Sequence, residues 1–257
     1  MTAQSLIDIA NWSEARTVTS NQFFISQWPG GLKRFCLEGP EHHHLSRVAR
    51  VRPGNLVWLT DGKGRRLLAE VEAIEPERTW LRPLEMVEEA VRTRLILVLG
   101  LTKPAVFEFI IQKATELGVS EIQPLLTIRS QPLPADRLEK KTERWEKITR
   151  EALKQCKGGS LPLIHRPLAL EEAVSRKIAG SKIYLFEDSE RYFRDILMTG
   201  RADEVYLLAG PEGGWAAKEK ELMDGAGFQG LSLGSRILRT ETAVLSAISL
   251  ITHFWNW

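Results

Sequence analysis

Two hydrophobic patterns divide the chain. From Phe23 to about Val87 the apolar residues come in short runs, "FFIS", "KRFCL", "NLVWLT", "RLLAEVEAI" and "TWLRPLEMV", separated by turn signals such as Pro53-Gly54 and Asp61-Gly62. This is the signature of short strands joined by tight turns and predicts a small β-barrel over residues 21–90. The polar residues 1–20 form an extension before it, and "EEAVRTR" (88–94) reads as a linker.

From residue 91 onward the period changes. "LILVLGL" (95–101) is the continuous apolar run of a strand buried on both faces. "PAVFEFIIQKATELG" (104–118) follows, with Val106, Ile110, Ala114 and Leu117 at helical spacing, Pro104 in the first turn and Gly118 at the end. Residues 136–156 predict a longer helix with Leu138, Trp145, Ile148 and Ala152 inward. Strand and helix patterns alternate to the C-terminus, so residues 91–257 are expected to form an α/β domain with a mostly parallel sheet. The last helix carries Val244, Ile248, Ile251 and Trp255 on one face, while Leu245, Leu250 and Phe254 widen the apolar surface. That breadth points to a partner surface.

Composition adds two constraints. The apolar stretches fall well short of the roughly 20 residues of a membrane span, the start has no signal-peptide pattern, and the two cysteines, Cys36 and Cys156, are far apart. Reduced, buried thiols and a cytoplasmic location are expected. The net charge of +2 is unevenly distributed: residues 16–66 hold nine Lys/Arg against three acids, a balance of +6, which leaves −4 elsewhere. A basic first domain suits a polyanion.

The chemistry is expected where strands end, because ligands of open α/β sheets sit outside the C-terminal strand ends. "AGPEGG" (209–214) is neither a dinucleotide fingerprint nor a phosphate-binding loop. Gly213 and Gly214 lack Cβ, so a flat ring or a ribose can lie against their peptide groups. "SLGSRILRTETA" (232–243) places Arg236, Arg239, Thr240, Glu241 and Thr242 just before the last helix. Thr240 and Glu241 suit a helix start; the two arginines flanking Ile237-Leu238 suit an anion. The run His42-His43-His44 is poor geometry for joint metal ligation and reads as a solvated loop, so no metal is expected.

"GPEGGW" with "LGSRILRTETA", together with "FEFIIQKATELGV" upstream and "HHLSRVARVRPGNLVWLTDGKG" in the first domain, resembles the bacterial 16S ribosomal RNA uridine N3-methyltransferases of the SPOUT superfamily. The resemblance implies a PUA-like barrel followed by a SPOUT-type parallel sheet with a C-terminal trefoil knot. It further implies a homodimer and S-adenosylmethionine-dependent methylation of one uridine in the decoding region, on 16S RNA or the assembled small subunit. Carried over, Leu208, Gly210, Pro211, Glu212, Gly213 and Gly214 line the cofactor pocket, as do Leu233, Gly234, Arg236, Ile237, Leu238 and Thr242. Arg236, Arg239 and Arg129 are candidates to favour the uridine anion, Glu241 or Glu212 to orient an arginine or accept the proton, and His44, Arg47, Arg50 and Arg52 to hold RNA. This chain departs from the family at Ser235, Ala216, "TIRS" (127–130) and "KQCKGG" (154–159). The competing readings are another RNA target, in tRNA or the large subunit, and a non-catalytic assembly factor; the intact glycine turn argues against the second.

Overall fold

A computed structural model describes residues 18–90, 93–198 and 200–256. The predicted extension therefore lies, up to residue 17, outside the described residues, as do two positions of the linker. The chain divides into two compact units: one takes the chain up to Val91 together with Leu153–Leu161, the other Arg92–Ala152 and Pro162–Trp257.

In the first unit β1 (Val18–Phe24), β2 (Phe35–Glu38), β3 (Leu56–Thr60), β4 (Arg65–Ile74) and β5 (Arg78–Glu88) form one sheet in the order β1-β3-β4-β5-β2. β1 and β3 run parallel; the other pairs are antiparallel. Alternate strand positions turn inward, so Phe23, Val57, Leu59, Leu67, Ala69, Val71 and Leu81 share one core. Both anticipated turns are present, with Gly54 at φ +87° and Gly62 at φ +73°, values that glycine tolerates without a Cβ clash.

The histidine run corrects the sequence reading. It is no loop: Gly39–His43 forms a short helix, α1, with Pro40 in its first turn, and His44–Val48 continues it as one wide π-helical turn. His42 is buried, its Nδ1 2.9 Å from Thr79 Oγ1 and its Nε2 3.1 Å from the Pro76 carbonyl. Gly-Pro-Glu ahead of the histidines was the available helix-start signal.

The segment Leu153–Leu161 is tied into this unit through polar contacts. Gln22 Nε2 donates to the Gly158 carbonyl (2.8 Å), Glu89 accepts from Gly159 N and Ser160 Oγ (2.6 Å each), and Lys154 pairs with Glu41 (2.7 Å). Cys36 and Cys156 form no disulfide among the described residues and are half-buried, less sheltered than expected.

The second unit alternates as the pattern predicted. Its strands are β6 (Arg94–Gly100), β7 (Glu121–Leu126), β8 (Leu163–Ile164), β9 (Leu168–Ala169), β10 (Ser181–Leu185), β11 (Glu204–Ala209) and β12 (Gln229–Leu231). They form a sheet ordered β12-β10-β11-β6-β7-β8, with β9 also on β7, and every recorded pair is parallel. Its helices are α2 (Pro104–Glu116), α3 (Ala135–Cys156, whose last residues count in the first unit), α4 (Leu170–Ser175), α5 (Phe193–Leu197), α6 (Ala217–Gly225) and α7 (Thr240–Asn256).

The continuous apolar run of β6 serves two cores. Leu95, Leu97 and Leu99 face α2, α5 and α7, while Ile96 and Val98 face α4 and α6. In α2 the deepest residues are Phe107, Ile110, Ile111 and Ala114, with Val106 and Leu117 only half-buried. Trp145 of α3 packs on Phe107 with ring centroids 4.7 Å apart. Each fully buried Leu, Ile or Phe contributes about 1.5–3 kcal/mol over exposure, so the sheet is a rigid platform for whatever its strand ends carry. Among the described residues no helix is long and apolar enough to cross a membrane.

Candidate active site

β11 ends at Ala209, and the chain turns through Gly210–Trp215 before α6 begins. Each part of the turn is held by a different neighbour. Gly100, at the end of β6, lets Pro211 approach so closely that a Cβ there would lie 2.7 Å from the proline Cδ. Glu212 Oε1 accepts from Lys103 N at 3.1 Å. Gly214 N donates to the Pro211 carbonyl at 2.9 Å, with Gly214 at φ +69°. Trp215 is buried and donates from Nε1 to the Leu185 carbonyl at the end of β10 (3.0 Å).

The second segment leaves β12 beside this turn. Ser232 is fixed by backbone bonds from Ser232 N to Arg191 O and from Phe193 N to Ser232 O, both 2.9 Å. Its hydroxyl and Gly234 close a tight turn: Ser232 Oγ lies 3.0 Å from Gly234 O and accepts from Gly234 N at 3.2 Å, with Gly234 at φ +140°. The chain then presents Arg236, Ile237 and Arg239 to solvent before α7 starts at Thr240. Ile237 is 84% exposed, an unusual state for a large aliphatic side chain.

Between the two segments lies a cavity of about 630 Å³ at the C-terminal ends of β10, β11 and β12, a volume typical of small-molecule sites. It gathers most residues that the sequence singled out: Gly210, Pro211, Glu212, Gly213, Gly214, Leu233, Arg236, Ile237, Leu238, Arg239 and Glu241. Of the candidates for cofactor binding and catalysis, four fall elsewhere. Leu208 is fully buried in the core beneath, and Gly234 and Thr242 do not line the cavity. Arg129 is outside it too, its guanidinium donating to the Gly213 carbonyl (2.8 Å) and more distantly to that of Trp215 (3.4 Å).

Sequence reasoning missed Lys103, Val106, Leu185, Phe186, Glu187, Trp215 and Ser232 on the walls. For Leu185–Glu187 a signal existed, since they close the strand pattern "KIYLFE" (182–187) and strand ends were the place to look.

In the first unit Arg47, Arg50 and Arg52 are exposed and make no ion pair among the described residues, whereas Arg34 pairs with Glu72 (2.8 Å) and Arg65 with Asp61 (2.6 Å). Arg50 sits at φ +51°, a conformation costly for a residue with a side chain. His44 is half-buried, its ring edge-on to Phe23 with centroids 5.5 Å apart. Burial lowers the pKa of the Arg66 guanidinium, against the pull of Glu89, and this side chain stacks 4.4 Å over Trp58. Arg47, Arg50 and Arg52 thus place three exposed cations, with no ion pair among the described residues, within six positions of the chain. No group of three or more His, Cys, Asp or Glu among the described residues has the arrangement of a metal centre.

Residues 89–252 match the RNA methyltransferase domain family and residues 37–84 the RNA methyltransferase PUA domain. A ribosomal RNA small subunit methyltransferase E of Synechocystis is 33% identical over 214 residues, 81% of this chain and 69% of the relative. The Bacillus subtilis protein of that name is 29% identical over 229 residues, 85% and 90% of the two chains. Among solved structures, a ribosomal RNA small subunit methyltransferase E from Neisseria gonorrhoeae bound to S-adenosyl methionine matches with a TM-score of 0.83 at 28% identity, over 91% of this chain and 98% of that one.

Proposed function

This chain belongs to the ribosomal RNA small subunit methyltransferase E family, and we propose that it transfers a methyl group from S-adenosylmethionine to N3 of one uridine in the decoding region of 16S ribosomal RNA. The observation that carries this reading is the cavity at the ends of β10, β11 and β12, walled by both segments that the sequence marked for a cofactor.

The cavity suits a sulfonium nucleoside. Its glycine side offers peptide groups without Cβ atoms, its floor is apolar through Leu231, Leu233 and Val244, and Arg236, Arg239 and Glu241 are on its walls. When bound, S-adenosylmethionine supplies a methyl group already activated on sulfur. The remaining task belongs to this chain: to align N3 and favour its anion, because the imide is mostly protonated at neutral pH. A guanidinium nearby lowers such a pKa by about 1–3 units, each unit worth about 1.4 kcal/mol. Arg236 and Arg239 take that role, with Glu241 orienting them or receiving the proton. Glu212 is already tied to the Lys103 amide, which favours a structural part for it.

The exposed Arg47, Arg50 and Arg52, with His44, hold the RNA backbone in this reading. The further parts of the proposal are closure of the first sheet as a PUA-like barrel, a trefoil knot in the C-terminal part of the second unit, a homodimer, and action in the cytoplasm on 16S RNA or the assembled subunit. The test is mass spectrometry of 16S RNA from cells with and without the gene. Loss of one N3-methyluridine, restored by the purified protein with S-adenosylmethionine, is expected; an unchanged modification overturns the proposal.

A further inference from the structure

The glycine turn and the loop that leaves β7 grip each other in both directions. From the loop, Arg129 Nη1 donates to the Gly213 carbonyl at 2.8 Å, and its Cβ lies 3.1 Å from where a Cβ on Gly213 would stand. From the other side Glu219, in the first turn of α6 and only 5% exposed, accepts from Ile128 N on one oxygen and from Ala216 N on the other, each at 2.8 Å. Neighbours on one loop, Ile128 and Arg129, are thus bonded to residues on either side of Trp215.

The effect is specific to one peptide plane. The peptide joining Gly213 to Gly214 has its oxygen held by Arg129 and its N–H held by the Pro211 carbonyl. Two glycines flank that plane, so without such restraint it would rotate among several wells. A turn held in a single orientation binds its ligand more tightly because the ordering cost is already met.

We propose that Arg129 and Glu219 are positioning residues, a two-way latch that sets the Gly213–Gly214 peptide for the cofactor; the proposal rests on the cofactor reading of the cavity. Arg129 acts through the turn and not on the reacting base. Ala216 fits this picture: with no hydroxyl it cannot complete a reciprocal helix cap, which leaves Glu219 as the link between α6 and the β7 loop.

Calorimetry with S-adenosylhomocysteine on the full-length protein, with melting curves, tests the latch. Arg129→Ala is expected to raise Kd about tenfold and Glu219→Gln less, since Gln keeps one acceptor. Arg129→Lys falls between, because an ammonium lacks the planar fork. Guanidinium ion at millimolar concentration restores part of the affinity of Arg129→Ala and leaves the unmodified protein unchanged. In turnover, KM for S-adenosylmethionine rises while kcat at saturation stays within about twofold, whereas a residue touching the base would lower kcat. Kd values within twofold of the parent for Arg129→Ala and Glu219→Gln, or a loss that only follows the unfolded fraction and is not rescued, overturn the latch. Absence of S-adenosylhomocysteine binding by the unmodified protein would overturn the cofactor reading and the latch with it.

Discussion

Gly100 lies directly against Pro211: a Cβ built on Gly100 would stand 2.7 Å from the proline Cδ and 2.8 Å from its nitrogen. The end of β6 and the turn after β11 are adjacent because β6 and β11 pair in register up to Leu99 and Ala209. A glycine at the tip of an otherwise bulky apolar strand is therefore a requirement of the site, not of the strand. Gly100→Ala should push the turn outward, costing about 1–3 kcal/mol by overpacking and weakening cofactor binding. Urea denaturation and calorimetry read both effects. Gly225→Ala is the comparison, since a Cβ there meets nothing within 4 Å, and it should be neutral or stabilising. Equal behaviour of the two variants would show that the close approach has no consequence.

Arg236 and Arg239 are exposed on the cavity wall and make no ion pair among the described residues. If they favour the uridine anion, replacing either by Ala should lower kcat and move the rising limb of its pH profile up by about one unit. The sign follows from charge: a cation stabilises the deprotonated base, so its removal demands higher pH for the same ionised fraction. A profile that keeps its shape while falling in height would assign these residues to alignment alone.

The fold was legible in sequence to different depths for identifiable reasons. β6 could be recognised because burial on both faces leaves a run without polar interruption, and the alternation of Leu95, Leu97 and Leu99 with Ile96 and Val98 then follows from strand geometry. The glycine turn stood out because Gly210–Gly214 breaks a strong strand. The wall after β6 did not, since Lys103 and Val106 enter the cavity from the start of α2 and carry no local signature. His42–His44 reads as a solvated loop because three consecutive histidines are polar, and only the Thr79 hydroxyl and Pro76 carbonyl across the unit make His42 a core residue. Arg129 is a candidate for the substrate from its position after a strand; its hydrogen-bond partner in the structure, the Gly213 carbonyl, is 84 residues away and leaves no local trace in the sequence.

Tyr184 gives the second unit an alkaline limit. Its hydroxyl donates to Asp224 Oδ1 at 2.9 Å, and burial together with this carboxylate pushes its pKa up to about 12 from an ordinary value near 10. Between those values the folded protein retains a proton that the unfolded chain releases, so stability declines as pH rises through the window. Tyr184→Phe should cost about 0.5–1.5 kcal/mol at pH 8 yet show a flatter loss from pH 10 to pH 12. Urea midpoints at several pH values make the comparison, and parallel curves would exclude Tyr184 as the source.

Arg47, Arg50 and Arg52, exposed and without an ion pair among the described residues, predict a salt-dependent grip on RNA. Each phosphate contact contributes about 0.7–0.9 to the slope of log K against log salt. Replacing all three by Gln should weaken 16S RNA binding, flatten the slope by about two units, and spare the affinity for S-adenosylhomocysteine. Arg34→Gln is the comparison, because that side chain is engaged with Glu72. RNA affinity indifferent to the triple change would reduce this stretch to a solvated edge.

The last helix separates folding from assembly. Val244, Ala247, Ile248 and Ile251 are fully buried within the chain, and Trp255 is nearly so, its Nε1 donating to the Leu197 carbonyl at 3.4 Å. Trp255 is therefore core and not partner surface, and Trp255→Ala should cost about 3–5 kcal/mol in the single chain. What points outward is Phe254, 53% exposed, and beside Leu197 on the neighbouring segment Met198, 79% exposed. In the proposed homodimer these two side chains are where a second copy would pack. Light scattering of the unmodified protein at micromolar concentration should give twice the 29.1 kDa chain mass. Phe254→Asp with Met198→Asp should return it to one chain mass without lowering the melting temperature as Trp255→Ala does. A single-chain mass for the unmodified protein would remove the dimer, and a dimer that survives the double change would move its interface away from this end of α7.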